Sequence, residues 1–223
     1  MKNFATPIAI FVGFGLVATA IFVSSSQSGP GVQVNAGHDQ MAATADTSPR
    51  RENSEQAFVY GNPDAEITVV EFSDYECLFC SRLHPTLERL VDESDGKINW
   101  EYRHLPIPSH RNAELAASIA ECVGRIQGND AFWAFSQVVF DNQRSVNNTF
   151  LTKSAGELGV PEDQLQACMA EDAIGEQIAT DIATARAFGG SGTPFNVIVF
   201  PDGTTQSVSG ALPYESWAQL LTL

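Results

Sequence analysis

The sequence is poor in basic residues. Lys and Arg number 12 against 27 Asp and Glu among 223 residues, so the net charge at neutral pH is −15. This acidic balance disfavours binding to nucleic acid or to an anionic membrane surface, because both are negatively charged. No internal repeat is visible, and the length suits one domain with appendages.

Residues 4–23 lack any charged side chain. Twenty residues at about 1.5 Å each span roughly 30 Å, the thickness of a bilayer core. Lys2 precedes this run and no Lys or Arg follows until Arg50, which predicts that the rest of the chain is exported. We interpret residues 1–23 as a single-pass anchor in the cytoplasmic membrane, with the remainder on the periplasmic or extracellular side. A signal peptide cleaved near residues 18–20 is the alternative.

Residues 24–57 lack apolar periodicity and are rich in Ser, Gly, Gln, Asn, Ala and Thr. Such a segment cannot bury enough surface to offset its ordering entropy. We therefore expect a disordered linker with a reach of roughly 30 Å. Residues 58–223 remain as the folded part.

Apolar patterns in the folded part predict a β-α-β unit, a block of helices and a final β-β-α unit. The first two strands are expected at 67–72 and 98–104, in parallel pairing, with a helix from about Cys77 between them. The last two are expected at 195–200 and 204–209, before a final helix. The predicted fold is α/β, with the halves 58–105 and 189–223 separated by a helical insertion at 106–188.

Two of the four cysteines stand three positions apart, in Cys77-Leu78-Phe79-Cys80. A helix starting at Cys77 would favour its thiolate through unpaired N–H groups and the helix dipole. Cys80, one turn along, could close a disulfide or resolve a mixed disulfide. A zinc site, with His84 as a third ligand, is an alternative, but no further Cys or His cluster lies nearby in sequence. An inert structural disulfide is the other alternative, and we favour a redox pair without metal.

Four stretches of the folded part carry a family resemblance. EFSDYECLFCSRLHPTL, YRHLPIPSHRNAELAASIAECVG, GNDAFWAFSQVVFDNQ and SGTPFNVIVFPDG occur in this order. They resemble the DsbA-like thiol–disulfide oxidoreductases, which have a thioredoxin fold with a helical insertion. The resemblance implies an exported enzyme that introduces, reduces or shuffles disulfides in other proteins, with no cofactor except its own redox-active disulfide.

The resemblance assigns roles to individual residues. It implies that Cys77 is the nucleophile, that Cys80 is the resolving cysteine, and that Thr193 and Pro194 form the cis-proline loop that pairs with substrate. Glu71 would be a buried acid beneath the disulfide, relaying a proton for Cys80, unless it is a surface residue of a half-exposed strand. Burial would raise its pKa.

The position of Glu71 also suggests neighbours. Arg103 and His104, on the next predicted strand, are the candidates.

The chain departs from the family between the two cysteines. Leu78 and Phe79 stand where strongly oxidising members carry His and Pro. With Asp74 and Glu76 close by, we expect a Cys77 pKa above the family's extreme and a weaker oxidant. Leu78 and Phe79 would instead offer an apolar surface to unfolded substrates.

Cys122 and Cys168 fall on apolar stripes of two different predicted helices. They are either buried free cysteines packing as small hydrophobes or, as we favour for an exported protein, a structural disulfide. Such a bond would stabilise the fold by about 3–4 kcal/mol.

We expect a membrane-tethered dithiol oxidase. Its partners would be reduced or unfolded exported proteins and a membrane re-oxidase of the DsbB or vitamin-K-epoxide-reductase type, with no nucleic acid. A reductase or isomerase of the same compartment is one alternative. A tethered chaperone-like binding module, using the surface beside Leu78 and Phe79, is another.

Overall fold

The computed structural model describes residues 48–51 and 57–222. The described residues form five strands and seven α-helices. The strands are β1 (Phe58–Gly61), β2 (Ile67–Ser73), β3 (Ile98–His104), β4 (Phe195–Val199) and β5 (Thr205–Ser209). The helices are α1 (Leu78–Asp92), α2 (Ala113–Gln127), α3 (Asn129–Asp141), α4 (Asn148–Glu157), α5 (Glu162–Met169), α6 (Asp172–Ala187) and α7 (Tyr214–Leu220).

The strands form one mixed sheet in the order β1-β3-β2-β4-β5. β2 is parallel to β3, whereas the other three pairs are antiparallel. The chain returns from β2 to β3 through α1, as a parallel pair requires. The α/β fold predicted from the sequence, with its β-α-β and β-β-α units around a helical insertion, is confirmed.

The sheet is covered on both faces. Val69 and Trp100 face a core shared with α1 and the helices α2 to α6, whereas Val70 and Phe72 face a smaller core that includes Ala185 of α6. β2 is therefore buried on both sides over almost its whole length, which explains its continuous apolar character. Its carboxyl end delivers the chain to the two close cysteines.

The strand β1 is not among the predicted elements. It has four residues, pairs antiparallel with β3 at the edge of the sheet, and ends at Gly61. A run this short shows no clear alternation, so periodicity cannot identify it.

Residues 48–51 pack on the domain, which differs from the expected disordered linker at 24–57. Arg51 is 8% exposed. Its guanidinium contacts Glu121 of α2 at 3.0 Å and Asp181 of α6 at 3.1 Å. Local composition could not predict this packing, because the partners of Arg51 lie 70 and 130 residues away in the sequence.

The expected anchor at 1–23 lies outside the described residues, as does the linker up to residue 47 and at 52–56. Within 48–51 and 57–222, every helix is too short or too polar to cross a membrane.

Cys122 of α2 and Cys168 of α5 form a disulfide, as predicted, across 46 residues of chain. The bond fastens α5 to α2 within the helical block, away from the close pair. A loop of this length gives about 3–4 kcal/mol of stabilisation in the chain-entropy account.

Candidate active site

The two close cysteines lie where β2 turns into α1. Cys77 is the N-cap residue of α1, and its backbone N–H donates to the carbonyl of Asp74 at 3.0 Å. Cys77 is 7% exposed and Cys80 is fully buried; both are free thiols in the structure. Only the first sulfur is therefore accessible to another protein.

The environments of the two thiols separate their acidities. A hydrogen bond from Cys80 is the largest influence on Cys77 and lowers its pKa to about 5. Burial opposes this shift, whereas Thr193 and the backbone N–H groups of Cys80 and Phe79 support it. Burial raises the pKa of Cys80 well above its ordinary value, and the hydrogen bond with Cys77 and the charge of Glu71 add to the rise. At neutral pH the pair holds one thiolate, on the accessible sulfur, and one thiol.

The loop before β4 packs against the accessible sulfur. The Thr193–Pro194 peptide is cis, and Sγ of Cys77 lies 3.3 Å from the Thr193 carbonyl oxygen, to which it donates in its thiol form. The Pro194 carbonyl accepts the N–H of Gly210 at 2.9 Å, which ties the loop to the end of β5. The structure thus brings together the cysteine pair and the predicted proline loop, 116 residues apart.

Glu71 lies in the interior of β2 and is 1% exposed. Burial raises its pKa to about 8, whereas the Ser73 and Trp100 side chains oppose the rise and the charge of Cys77 adds to it. Among the described residues, neither carboxylate oxygen completes a hydrogen bond. Glu71 is therefore a buried acid beside the thiols and not a surface glutamate. At neutral pH its carboxyl group is mostly protonated.

Of the two suggested neighbours of Glu71, Arg103 was wrong. Arg103 is paired in register with Phe72, so its side chain lies on the opposite face of the sheet from Glu71. There it donates to Asp181 at 2.6 Å. His104 shares the face of Glu71, and its Nε2 contacts Glu121 at 3.3 Å.

The expectation that Asp74 and Glu76 would raise the pKa of Cys77 also needs correction. The Asp74 carboxylate accepts from the backbone N–H groups of Glu76 and Ile107, both at 2.7 Å. The Glu76 carboxylate accepts from Asn112, at 2.6 Å from the backbone N–H. Both carboxylates are thus held in place by hydrogen bonds, and neither is among the main influences on the pKa of Cys77.

Leu78 and Phe79 are exposed, at 63% and 56%. They are the large hydrophobic side chains that the described surface presents to solvent. Leu78 also lines an open depression with Phe140 and residues 141–145. The apolar surface expected beside Cys77 is present.

Gln143 also supports the site, and no sequence pattern pointed to it. It begins the 3₁₀ turn Gln143–Ser145, and its amide donates to the carbonyls of Tyr75 and Cys77, both at 2.9 Å. The turn before α1 is thereby fixed from the helical block. A glutamine between two helices resembles any surface polar residue, so only the structure identifies it.

The described residues hold no group of three or more His, Cys, Asp and Glu side chains arranged for a metal ion.

Comparison with protein families places most of the chain in one of them. The family model described as Thioredoxin matches residues 53–220. A solved thioredoxin-like oxidoreductase from Silicibacter pomeroyi is 30% identical, with a TM-score of 0.65, over 77% of this chain and 96% of its own. Pseudomonas aeruginosa DsbA2 is 29% identical, with a TM-score of 0.63, over 74% of this chain and 91% of its own.

Curated relatives match over shorter parts of their length. Disulfide bond formation protein D of Bacillus subtilis is 31% identical over 100 residues, 42% of this chain and 43% of that protein. The Na(+)/H(+) antiporter NhaA of Herminiimonas arsenicoxydans is 30% identical over 136 residues, 61% of this chain. The chain spans 21% of that antiporter, so the likeness concerns one domain of a much longer protein.

Proposed function

The chain belongs to the thioredoxin family, and from this premise we propose that it is an exported thiol–disulfide oxidoreductase working as a dithiol oxidase. It would transfer the Cys77–Cys80 disulfide to pairs of cysteines in reduced or unfolded exported proteins. Relatives named as DsbA2 and as disulfide bond formation protein D support this activity.

The contrast between the two thiols carries the proposal. A Cys77 pKa of about 5 means that the reduced enzyme is stabilised as a thiolate at neutral pH. Stabilising the reduced form makes the disulfide easier to give away, because the exchange equilibrium then favours the dithiol enzyme. The same thiolate is a good leaving group. Both properties suit an enzyme that donates disulfides.

The reaction begins with a client thiolate attacking the accessible Sγ of Cys77. The Cys77–Cys80 bond breaks, and Cys80 leaves as a thiolate that takes up a proton. A second client thiolate then attacks the client sulfur of the mixed disulfide and expels Cys77 as a thiolate. The client loses two electrons in forming its disulfide, and the enzyme gains them as a dithiol.

Glu71 is suited to supply the proton for Cys80. With a pKa of about 8, it is mostly protonated at neutral pH, and its charge acts directly on Cys80. A buried thiolate without a proton would be costly in this apolar setting. Glu71 would therefore deliver the proton when Cys80 leaves and take it back during re-oxidation.

Leu78, Phe79 and the Thr193–Pro194 loop would hold the client. The exposed apolar pair suits unfolded segments, and the backbone beside Cys77 suits an extended chain. The Cys122–Cys168 disulfide supports an oxidising compartment, because disulfides persist there. The charge-free residues 4–23 support a membrane anchor. A membrane re-oxidase of the DsbB or vitamin-K-epoxide-reductase type would then restore the enzyme's disulfide.

The exposed Leu78 and Phe79 also favour a second candidate, a tethered binding module without turnover.

One experiment separates the two functions. The full chain, oxidised, would be mixed with a reduced unfolded protein, and complexes would be mapped by peptide mass. Cys80→Ser, treated with a client disulfide, should accumulate a mixed disulfide at Cys77, whereas Cys77→Ser should form none and lose turnover. Full retention of the biological effect by Cys77→Ser would support the binding module and sink the oxidoreductase.

A further inference from the structure

A charge pair lies beneath the turn that carries Cys77. His110, in the loop between β3 and α2, places its Nδ1 2.8 Å from Oδ2 of Asp74. Asp74 is 2% exposed, whereas the side chain of His110 is 33% exposed. A buried carboxylate is costly unless paired, and His110, when protonated, is the cation within ion-pair distance of it.

Asp74 is fixed to the reacting cysteine through the backbone. Its carbonyl accepts the Cys77 N–H at 3.0 Å, and its carboxylate accepts the Ile107 N–H at 2.7 Å. The Asp74 charge therefore cannot swing away from the turn. An uncompensated carboxylate held so close would oppose a thiolate on Cys77, since like charges disfavour each other's ionised form.

His110 responds to both of these charges. Burial alone would lower the pKa of His110, but the Asp74 hydrogen bond and charge, followed by the Cys77 thiolate and Glu76, raise it. A charge on Cys77 therefore favours the protonated form of His110. Coupling between two sites is reciprocal, so a thiolate that favours the charged His110 is favoured by it to the same extent.

We propose that the Asp74–His110 pair supports the Cys77 thiolate, with His110 as a positioning residue whose cation offsets the carboxylate held under the reacting sulfur. The proposal rests on the proposed exchange activity for its purpose, and its geometry stands independently. His110 contacts neither the client nor the sulfur in this role. It sets the charge of the turn from which Cys77 reacts.

Few other charged groups surround His110. Glu76, in the turn that carries Cys77, accepts hydrogen bonds from Asn112. A depression beside the imidazole contains Arg111 and Glu114, and the side chains that α6 contributes there are Ile178 and Ile182. The apolar wall from α6 keeps the electrostatic partners of His110 on the side of the cysteine turn.

The first test replaces His110 with glutamine in the full chain. Glutamine can still donate to Asp74 but carries no charge, so the pKa of Cys77 should rise. Cys77 is alkylated with iodoacetamide at a series of pH values from 4 to 8, and the product is measured by peptide mass. At pH 5 the alkylation rate should be about threefold slower than in the wild type. Arg111→Gln, which removes a cation from the neighbouring exposed position, is the matched control and should change the rate much less. Equal slowing in both variants would overturn the proposal.

The second test needs no variant. The imidazole of His110 is titrated by NMR in the wild-type chain with Cys77 and Cys80 reduced and then with them joined in a disulfide. The pKa of His110 should be higher in the reduced protein, because only that form carries the thiolate. Equal values in the two states would refute the pairing, even if His110→Gln fails to fold. Failure of the proposed oxidase activity would appear instead as a wild type that does not oxidise clients while this coupling persists.

Discussion

The Glu71 side chain decides how the site handles protons. It is an acid kept inside β2 without a completed hydrogen bond among the described residues, and burial raises its pKa to about 8. A carboxyl with a raised pKa binds more protons in the folded state than in the unfolded state. The free energy of unfolding is therefore not reduced by Glu71 below pH 4.5, and it falls as the pH rises from 4.5 towards 8.

Replacing Glu71 with Gln should remove this pH dependence. Between pH 5 and pH 8 the wild-type protein should lose roughly 2–4 kcal/mol more of its free energy of unfolding than the Glu71→Gln variant does, with both proteins oxidised. Denaturant unfolding at the two pH values measures the difference, with the exposed Glu66→Gln as control. A difference between variant and wild type that stays constant with pH would mean that Glu71 does not titrate in this range.

At the scale of elements, the approach of β1 to α2 depends on a glycine. A Cβ on Gly124 would lie 2.2 Å from the ring of Phe58, which stacks on Phe132 at 3.9 Å between ring centroids. The Phe58 ring is part of the core and has little room to move. The Phe58 ring of the edge strand therefore packs directly on the backbone of the helix.

Two glycine substitutions should separate packing from helix propensity. Gly124→Ala should lower the free energy of unfolding by about 1–3 kcal/mol, because overpacking outweighs the gain in propensity. Gly175→Ala, on α6 with open space around its Cβ, should instead raise it by up to about 1 kcal/mol. Thermal and denaturant unfolding measure both. Stabilisation by both substitutions would show that β1 does not pack against α2 in this way.

The strands and the helix around the cysteines could be predicted from the sequence, because the patterns that indicate them involve residues close together in the chain. Apolar runs marked β2 and β3, and the spacing of Cys77 and Cys80 marked the start of α1. The neighbours of Glu71 could not be read, since they depend on the register between β2 and β3, and a shift of one residue exchanges the faces. The contacts of His110 and Gln143 with the turn join distant parts of the chain, and no periodicity reports them.

At the scale of the whole molecule, a buried ionic network joins the segment 48–51 to the sheet and the helical block. Arg51 pairs with Glu121 and Asp181, and both carboxylates are fully buried. Arg103 of β3 also pairs with Asp181, at 2.6 Å. Residues 48–51 are thus part of the folded unit, and an expressed domain should include them.

Removing Arg51 should destabilise the whole fold. Arg51→Ala removes one of the cations that Glu121 and Asp181 share, while Arg125 and Arg103 remain, so the free energy of unfolding should fall by about 2–3 kcal/mol. Arg50→Ala is the matched control, since the Arg50 side chain is 37% exposed and contacts Glu101 at 3.5 Å; its loss should cost less than about 1 kcal/mol. Equal, small effects in the two variants would place Arg51 outside the cooperative core.

The reduction potential of the Cys77–Cys80 pair tests the central claim most directly. The full chain is equilibrated in graded glutathione buffers, free thiols are trapped by alkylation, and each cysteine is assigned by peptide mass. The oxidase account predicts a potential well above about −220 mV, where a disulfide is readily donated to clients, with Cys122 and Cys168 paired throughout. A potential near or below about −270 mV, that of thioredoxin, would contradict it and make the dithiol the working form of a reductase.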